Sequence, residues 1–173
     1  MYVQDGQINA IAPWSLQIGQ TVEICVVYNG APTNCIMDPV VDANPGVFKG
    51  VDGVAYAWNQ DGSINSPSHP APVGSIVSVL ATGLGSITPA QPDGTFVELP
   101  LPSNNVPVTM STLTYCPSGF GLGICPNPVD VRYAGPAPFE VAGVSQINFV
   151  ASLGALYLSA GTGTCSFSVY VAQ

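Results

Sequence analysis

The chain has 173 residues, 47% of them hydrophobic and only 7% charged, with 19 glycines and 17 prolines. Lys49 and Arg132 are the only cationic side chains against ten carboxylates, giving a formal net charge of −8. Two cations cannot build the footprint that nucleic acid or an anionic membrane surface requires, the apolar content is too high for a disordered chain, and Gly and Pro along the whole length disfavour a helical bundle.

Short β-branched and aromatic stretches bounded by Gly, Pro, Asn or Asp predict strands, beginning with 7–12, 21–28 and 33–40. The start, Met1-Tyr2-Val3-Gln4-Asp5, lacks the basic and apolar regions of a signal peptide, so the expectation is a removed export signal or a start inside a longer precursor. Around the turn Tyr28-Asn29-Gly30-Ala31-Pro32, Cys25 and Cys35 lie symmetrically about Gly30. In a hairpin that symmetry sets two side chains at cross-strand distance, so a Cys25–Cys35 disulfide is predicted. Asp42-Ala43-Asn44-Pro45-Gly46 reads as a turn, and 51–72 as a hairpin-bearing connector with a strand over 54–59.

Within the connector, Asn59-Gln60-Asp61-Gly62-Ser63-Ile64-Asn65 alternates oxygen ligands around an Asp-Gly, which makes Asn59, Asp61 and Asn65 a weak calcium candidate. Position 57 is Ala where a further ligand would stand, the chelating Glu of an EF-hand is missing, and a tight hairpin turn requires the same Asp-Gly. His69 follows in a proline-studded loop far from any Cys, and no Cys-x-x-Cys occurs, so no metal site is expected there. A strand over 75–81 leads to Gly83-Leu84-Gly85, but no helix pattern or third glycine continues it into a dinucleotide site.

Further strands are predicted over 96–101, 106–115, 129–133, 145–151, 155–159 and 166–172. Cys116 and Cys125 close a short glycine-rich loop and are read as a second disulfide, which leaves Cys165 unpaired or available for an intermolecular bond. Disulfides with so few charges point to a secreted or cell-surface protein. Gln7-Ile8-Asn9-Ala10-Ile11-Ala12 returns as Gln146-Ile147-Asn148-Phe149-Val150-Ala151, and each copy is followed by two more strands. This internal repeat predicts an all-β fold of two Ig-like β-sandwich lobes in tandem: 1–48 as a partial lobe of the last three strands, 49–72 as connector, and 73–173 as a complete lobe of about seven strands. Three strands leave an open edge and an uncovered apolar face. Either upstream chain or a neighbouring molecule supplies the rest.

Catalysis finds little support. There is no Gly-x-Ser-x-Gly elbow, and the carboxylates are spread singly. No enzyme activity and no cofactor are expected. Trp14, Tyr56, Trp58, Tyr115, Phe120 and Tyr133 either fill small cores or form a glycan-binding platform.

Taken together, Asn59-Gln60-Asp61-Gly62-Ser63-Ile64-Asn65-Ser66-Pro67 leading into Gly74-Ser75-Ile76-Val77-Ser78-Val79-Leu80-Ala81-Thr82-Gly83-Leu84-Gly85 resembles a C-terminal domain of large secreted proteins of Acidobacteria such as Solibacter. Gln7-Ile8-Asn9 with Pro13, Tyr28-Asn29-Gly30 and Asn44-Pro45-Gly46-Val47-Phe48 fit the same pattern, which covers essentially the whole chain. The resemblance implies two Ig-like (IPT/TIG-type) lobes in an exported module, and it carries over no catalytic residue. The family has more chain before its first Gln-Ile-Asn, and the Cys116–Cys125 loop departs from it as an insertion. The expectation is therefore a non-enzymatic extracellular structural protein that associates with its own copies through sheet edges, as a filament or surface layer. The alternative is a carbohydrate-binding or adhesion module.

Overall fold

The computed structural model describes residues 2–4, 6–118 and 121–172, with side chains except at 2, 4, 115–118 and 121–123. The chain is all-β, with several sheets and no helix among the described residues. At the N-terminus β1 (Tyr2–Gln4) pairs antiparallel with β2 (Gln7–Asn9). A second separate hairpin joins β3 (Thr21–Tyr28) to β4 (Ala31–Pro39).

The rest of the chain forms one body. Its strands are β5 (Gly46–Val47), β6 (Ala57–Asn59), β7 (Ala71–Pro72), β8 (Ile76–Thr82), β9 (Ile87–Thr88), β10 (Ser103–Asn104), β11 (Val108–Ser118) and β12 (Gly121–Val129). They continue with β13 (Val131–Pro136), β14 (Ser145–Val150), β15 (Leu156–Ala160), β16 (Gly163–Phe167) and β17 (Val171–Ala172). One sheet runs β13-β14-β8-β5, with β6 also on β8, and the other runs β12-β11-β15-β16. Two small pairs, β9 with β10 and β7 with β17, complete it.

Alternation builds the core. Val77, Val79 and Ala81 of β8 and Ile147 and Phe149 of β14 face Leu156, Leu158 and Ala160 of β15, Met110 of β11 and Phe167 of β16, and all are buried. Phe149 meets Phe167 edge-on, ring centroids 6.1 Å apart. Burying each of the large side chains contributes about 1.5–3 kcal/mol.

Residues 49–72, expected as a connector, belong to this body. Ala55, Ala57 and Ala71 are core residues, and Ala43 and Val47 from the expected partial lobe join them. The strand predicted over 96–101 does not form; Phe96 makes only an isolated bridge to Val141. Pro100 and Pro102 remove the amide donors that a paired strand needs. Conversely, the chain after Cys116 is not a simple loop, since β11 and β12 pair through Ser118 opposite Gly121.

The segment 42–45 straps the end of the two-layer body. The Asn44 amide donates to the Gly83 carbonyl at 2.9 Å. The Asp42 carboxylate accepts from the Ala43 amide at 2.9 Å and the Thr162 hydroxyl at 3.1 Å, and these donors hold its carboxyl below the ordinary value. Gly83 adopts φ +71, and a Cβ there would run into the Asn44 carbonyl. Gly62 shares the positive φ, at +82, but its Cβ direction is open. Gly83→Ala should therefore lower the stability of the body by more than about 2 kcal/mol, strain and overpacking together. Gly62→Ala should cost about 1–2 kcal/mol from strain alone. Urea midpoints of the two variants measure the difference.

Candidate functional site

The β3–β4 hairpin is locally well specified. Thr21, Val22, Ile24, Val26 and Val27 suit a pleated strand. Asn29 and Gly30 adopt φ 49 and 78, the left-handed pair of a two-residue hairpin turn. Cys25 pairs opposite Cys35 in register, and their sulfurs form the predicted disulfide with a Cα–Cα distance of 4.4 Å.

What the hairpin lacks is a cover. Ile24 is 47% exposed and Val26 40%, and Val27, Tyr28, Ile36 and Met37 are exposed as well. Counting back from the turn, Ile24, Val26 and Tyr28 occupy the places that Leu156, Leu158 and Ala160 hold in β15. Leu156 and Leu158 are 0% exposed. The C-terminal hairpin is thus sealed, and the β3–β4 hairpin, which has a register shift between Cys25 and Val27, is open. Around it, the Gly19 amide donates to the Val40 carbonyl and the Val40 amide to the Gln20 carbonyl, both at 2.8 Å. The Trp14 amide reaches the Asp93 carboxylate at 2.8 Å.

A second surface feature is a cleft beside β6. Inward Ala55, Ala57 and Asn59 leave Tyr56 and Trp58 facing out, and with Val51, Ile64 and Tyr170 they line an open cleft of about 580 Å³. Of the remaining aromatics, Trp14 is half-buried, the half-buried Tyr133 donates its hydroxyl to the Pro136 carbonyl at 2.7 Å, and the side chains of Tyr115 and Phe120 lie outside the described residues.

Asn59 and Asn65 are buried and bonded to each other. Asn65 Nδ2 donates to Asn59 Oδ1 at 2.9 Å and to the Tyr170 carbonyl at 2.7 Å, while Asn65 Oδ1 accepts from the Tyr170 amide at 2.8 Å. Asn59 Nδ2 reaches the Ser63 hydroxyl at 3.0 Å and the His69 carbonyl at 2.8 Å. Asp61 is exposed and accepts the Ser63 hydroxyl at 2.7 Å and amide at 3.0 Å, which lower its carboxyl below the ordinary value. Of the two Asn oxygens of the calcium candidate, Asn65 Oδ1 thus fastens this turn to the chain before β17, and Asn59 Oδ1 is taken up by Asn65 within the turn. The His69 ring reaches the hydroxyl of its neighbour Ser68 at 3.1 Å. Among the described residues, Glu23, Cys25 and Cys35 are the one group of His, Cys, Asp or Glu close enough to share an ion, and a disulfide removes the thiolates that would bind it.

Cys125 is disulfide-bonded. The predicted pairing with Cys116 rests on a side chain outside the described residues; the backbone register sets Thr114 opposite Cys125 and Cys116 opposite Gly123. Cys165 is the free cysteine among the described residues and is half-buried. Comparison with protein-family models, with curated proteins and with solved structures gives no match.

Two outcomes follow for these groups. Asn65→Ala strips partners from Asn59 and from both backbone groups of Tyr170, and should lower stability by about 2–4 kcal/mol in a urea titration. Burial pushes the Cys165 thiol up, more than the nearby Lys49 draws it down. Since the thiolate is the reactive form, iodoacetamide should label Cys165 in the native protein more slowly than it labels glutathione at pH 8. The rate should keep climbing above the ordinary thiol range, as read by peptide mass mapping.

Proposed function

We propose that this is a non-enzymatic extracellular structural protein, built as Ig-like lobes in tandem and related to the acidobacterial secreted domain that its motifs resemble. It associates with its own copies through strand edges. The observation that carries this reading is the contrast between the two hairpins of the repeat. In the C-terminal copy β15 is flanked by β11, pairing Leu156–Ala160 with Val108–Thr112, and its apolar face is buried against β8 and β14. Among the described residues the corresponding β3 pairs with β4 alone, and its Ile24 and Val26 are exposed.

The occupant that fits is a second copy. The pairing of β15 stops at Thr112, so β11 runs on toward Ser118 with β12 on one side and no strand on the other among the described residues. Leu113 is exposed on that overhang. A β3 strand laid antiparallel along it repeats the β15–β11 pairing between molecules, a strand addition. Donor and acceptor lie at different places on the chain, so the contact is head-to-tail and propagates into a filament or ring. The Cys25–Cys35 disulfide is compatible with an oxidising exterior.

Analytical ultracentrifugation with negative-stain microscopy tests the reading. Concentration-dependent polymers are expected, and the double change Ile24→Lys with Val26→Lys should abolish them. The urea midpoint of the body should not move, because both side chains are exposed. Val26→Cys with Leu113→Cys should give inter-chain disulfides. A monodisperse monomer across the accessible concentration range, with no such cross-link, overturns the proposal.

A further inference from the structure

We propose that the cleft beside β6 is a binding site for a neutral oligosaccharide, independent of the assembly surface. The strand pleat creates it. Ala55, Ala57 and Asn59 must face the core, so Tyr56 and Trp58 are forced onto one outward row, two residues or about 7 Å apart. Tyr56 is 63% exposed and Trp58 41%. A ring of that size left in water has apolar area to lose on contact, and its face takes the C–H side of a sugar ring while hydroxyls remain free for hydrogen bonds. Two such rings in a row suit successive sugar units. The volume, about 580 Å³, lies in the range of small-ligand sites.

Charge and polar groups narrow the ligand class. The polar lining comes from Asp52, Asn65 and Ser66 beside the two tyrosines. Neither Lys nor Arg lines the cleft. Lys49, its near neighbour in sequence, turns its ammonium to the Ser166 carbonyl at 2.5 Å. An anionic sugar or phosphate would meet a carboxylate and no cation, which disfavours acidic sugars and fits a neutral one.

The floor is fixed before any ligand arrives. Asn65 bonds Asn59 on one side and both backbone groups of Tyr170 on the other. It thereby ties the turn after β6 to the chain leading into β17, and Trp58 pairs opposite Ile64 across that turn. Little ordering remains to be done on binding, which favours affinity. The buried Asn pair, otherwise an unusual polar investment beside an apolar core, gains a purpose as the support of this surface.

The chain carries two tryptophans, Trp14 and Trp58, so indole resonances report on the site directly. With cellohexaose, chitohexaose, laminarihexaose and mannohexaose as probes, at least one should shift the Trp58 indole signal while leaving that of Trp14 in place. Trp58→Ala and Tyr56→Ala should each weaken binding by about tenfold or more in calorimetry, on variants shown by a cooperative urea transition to remain folded. Ile24→Lys with Val26→Lys should leave binding intact. The proposal is overturned if none of the four neutral probes binds at millimolar concentration, if only an anionic probe such as oligogalacturonate binds, or if the two aromatic variants bind as well as the parent.

Discussion

Everything in this structure hangs on the exclusion of water from the face shared by β8, β14 and β15. Val77, Val79, Ile147, Phe149, Leu156 and Leu158 are wholly buried there, and close packing leaves little freedom to what rides on them. β6 lies on β8 with Ala57 opposite Val79. Its inward positions are therefore small, and its outward ones are committed to solvent. The strap at 42–45 is fixed in the same way, because Gly83, Gly85, Gly161 and Gly163 each leave room that a Cβ would fill. The outward rings and the uncovered hairpin are defined by what this core does and does not reach.

The two hairpins β3–β4 and β15–β16 separate local from long-range information. β3–β4 has its turn residues, β-branched side chains and a disulfide, all within 20 residues of chain, and these suffice to fix its register. They do not provide an apolar partner face, which in the C-terminal copy comes from β8 and β14. A hairpin alone buries little, so its apolar row stays a surface feature until another sheet meets it. Its described charges, Glu23 and Asp38, are both acidic, and it has none of the lysines that commonly guard strand edges.

Much of this was legible from the residues. Alternation gave the all-β class, and symmetry about Gly30 gave the Cys25–Cys35 bond, because both are local. The Asp61-Gly62 turn was legible too, although the same residues also suggested calcium; Asn65 shows why, since an amide that closes a turn looks like a ligand in one dimension. The role of 49–72 was hidden, because Ala57 and Ala71 enter the core through pairing with β8 and β17 and Ala55 through its bond to Ser168, and Ala is too small to announce burial. β12 was hidden by its own composition. Pro126, Pro128 and two glycines read as loop, yet an outer strand pairs on one side only and tolerates prolines whose missing amides face away from its neighbour. Tyr56 and Trp58 were legible as members of an aromatic platform, but the cleft they share with Tyr170 was not, since Tyr170 lies more than 100 residues away.

The scarcity of charge acquires a physical sense from where the two cations sit. Lys49 is spent on the Ser166 carbonyl, and Arg132 is paired with Asp130 at 2.7 Å. Neither cationic side chain stands free to draw an anionic partner, and the carboxylates of a −8 chain repel acidic ones. Recognition on such a surface falls to groups without charge: backbone amides and carbonyls along an open strand, aliphatic side chains beside them, and ring faces with hydroxyls. The two surfaces that the core leaves outside supply these, the first two on β3–β4 and the last on β6. Long-range electrostatics thus works here to keep copies apart, so any contact between them must be won at short range, where strand register and apolar burial decide.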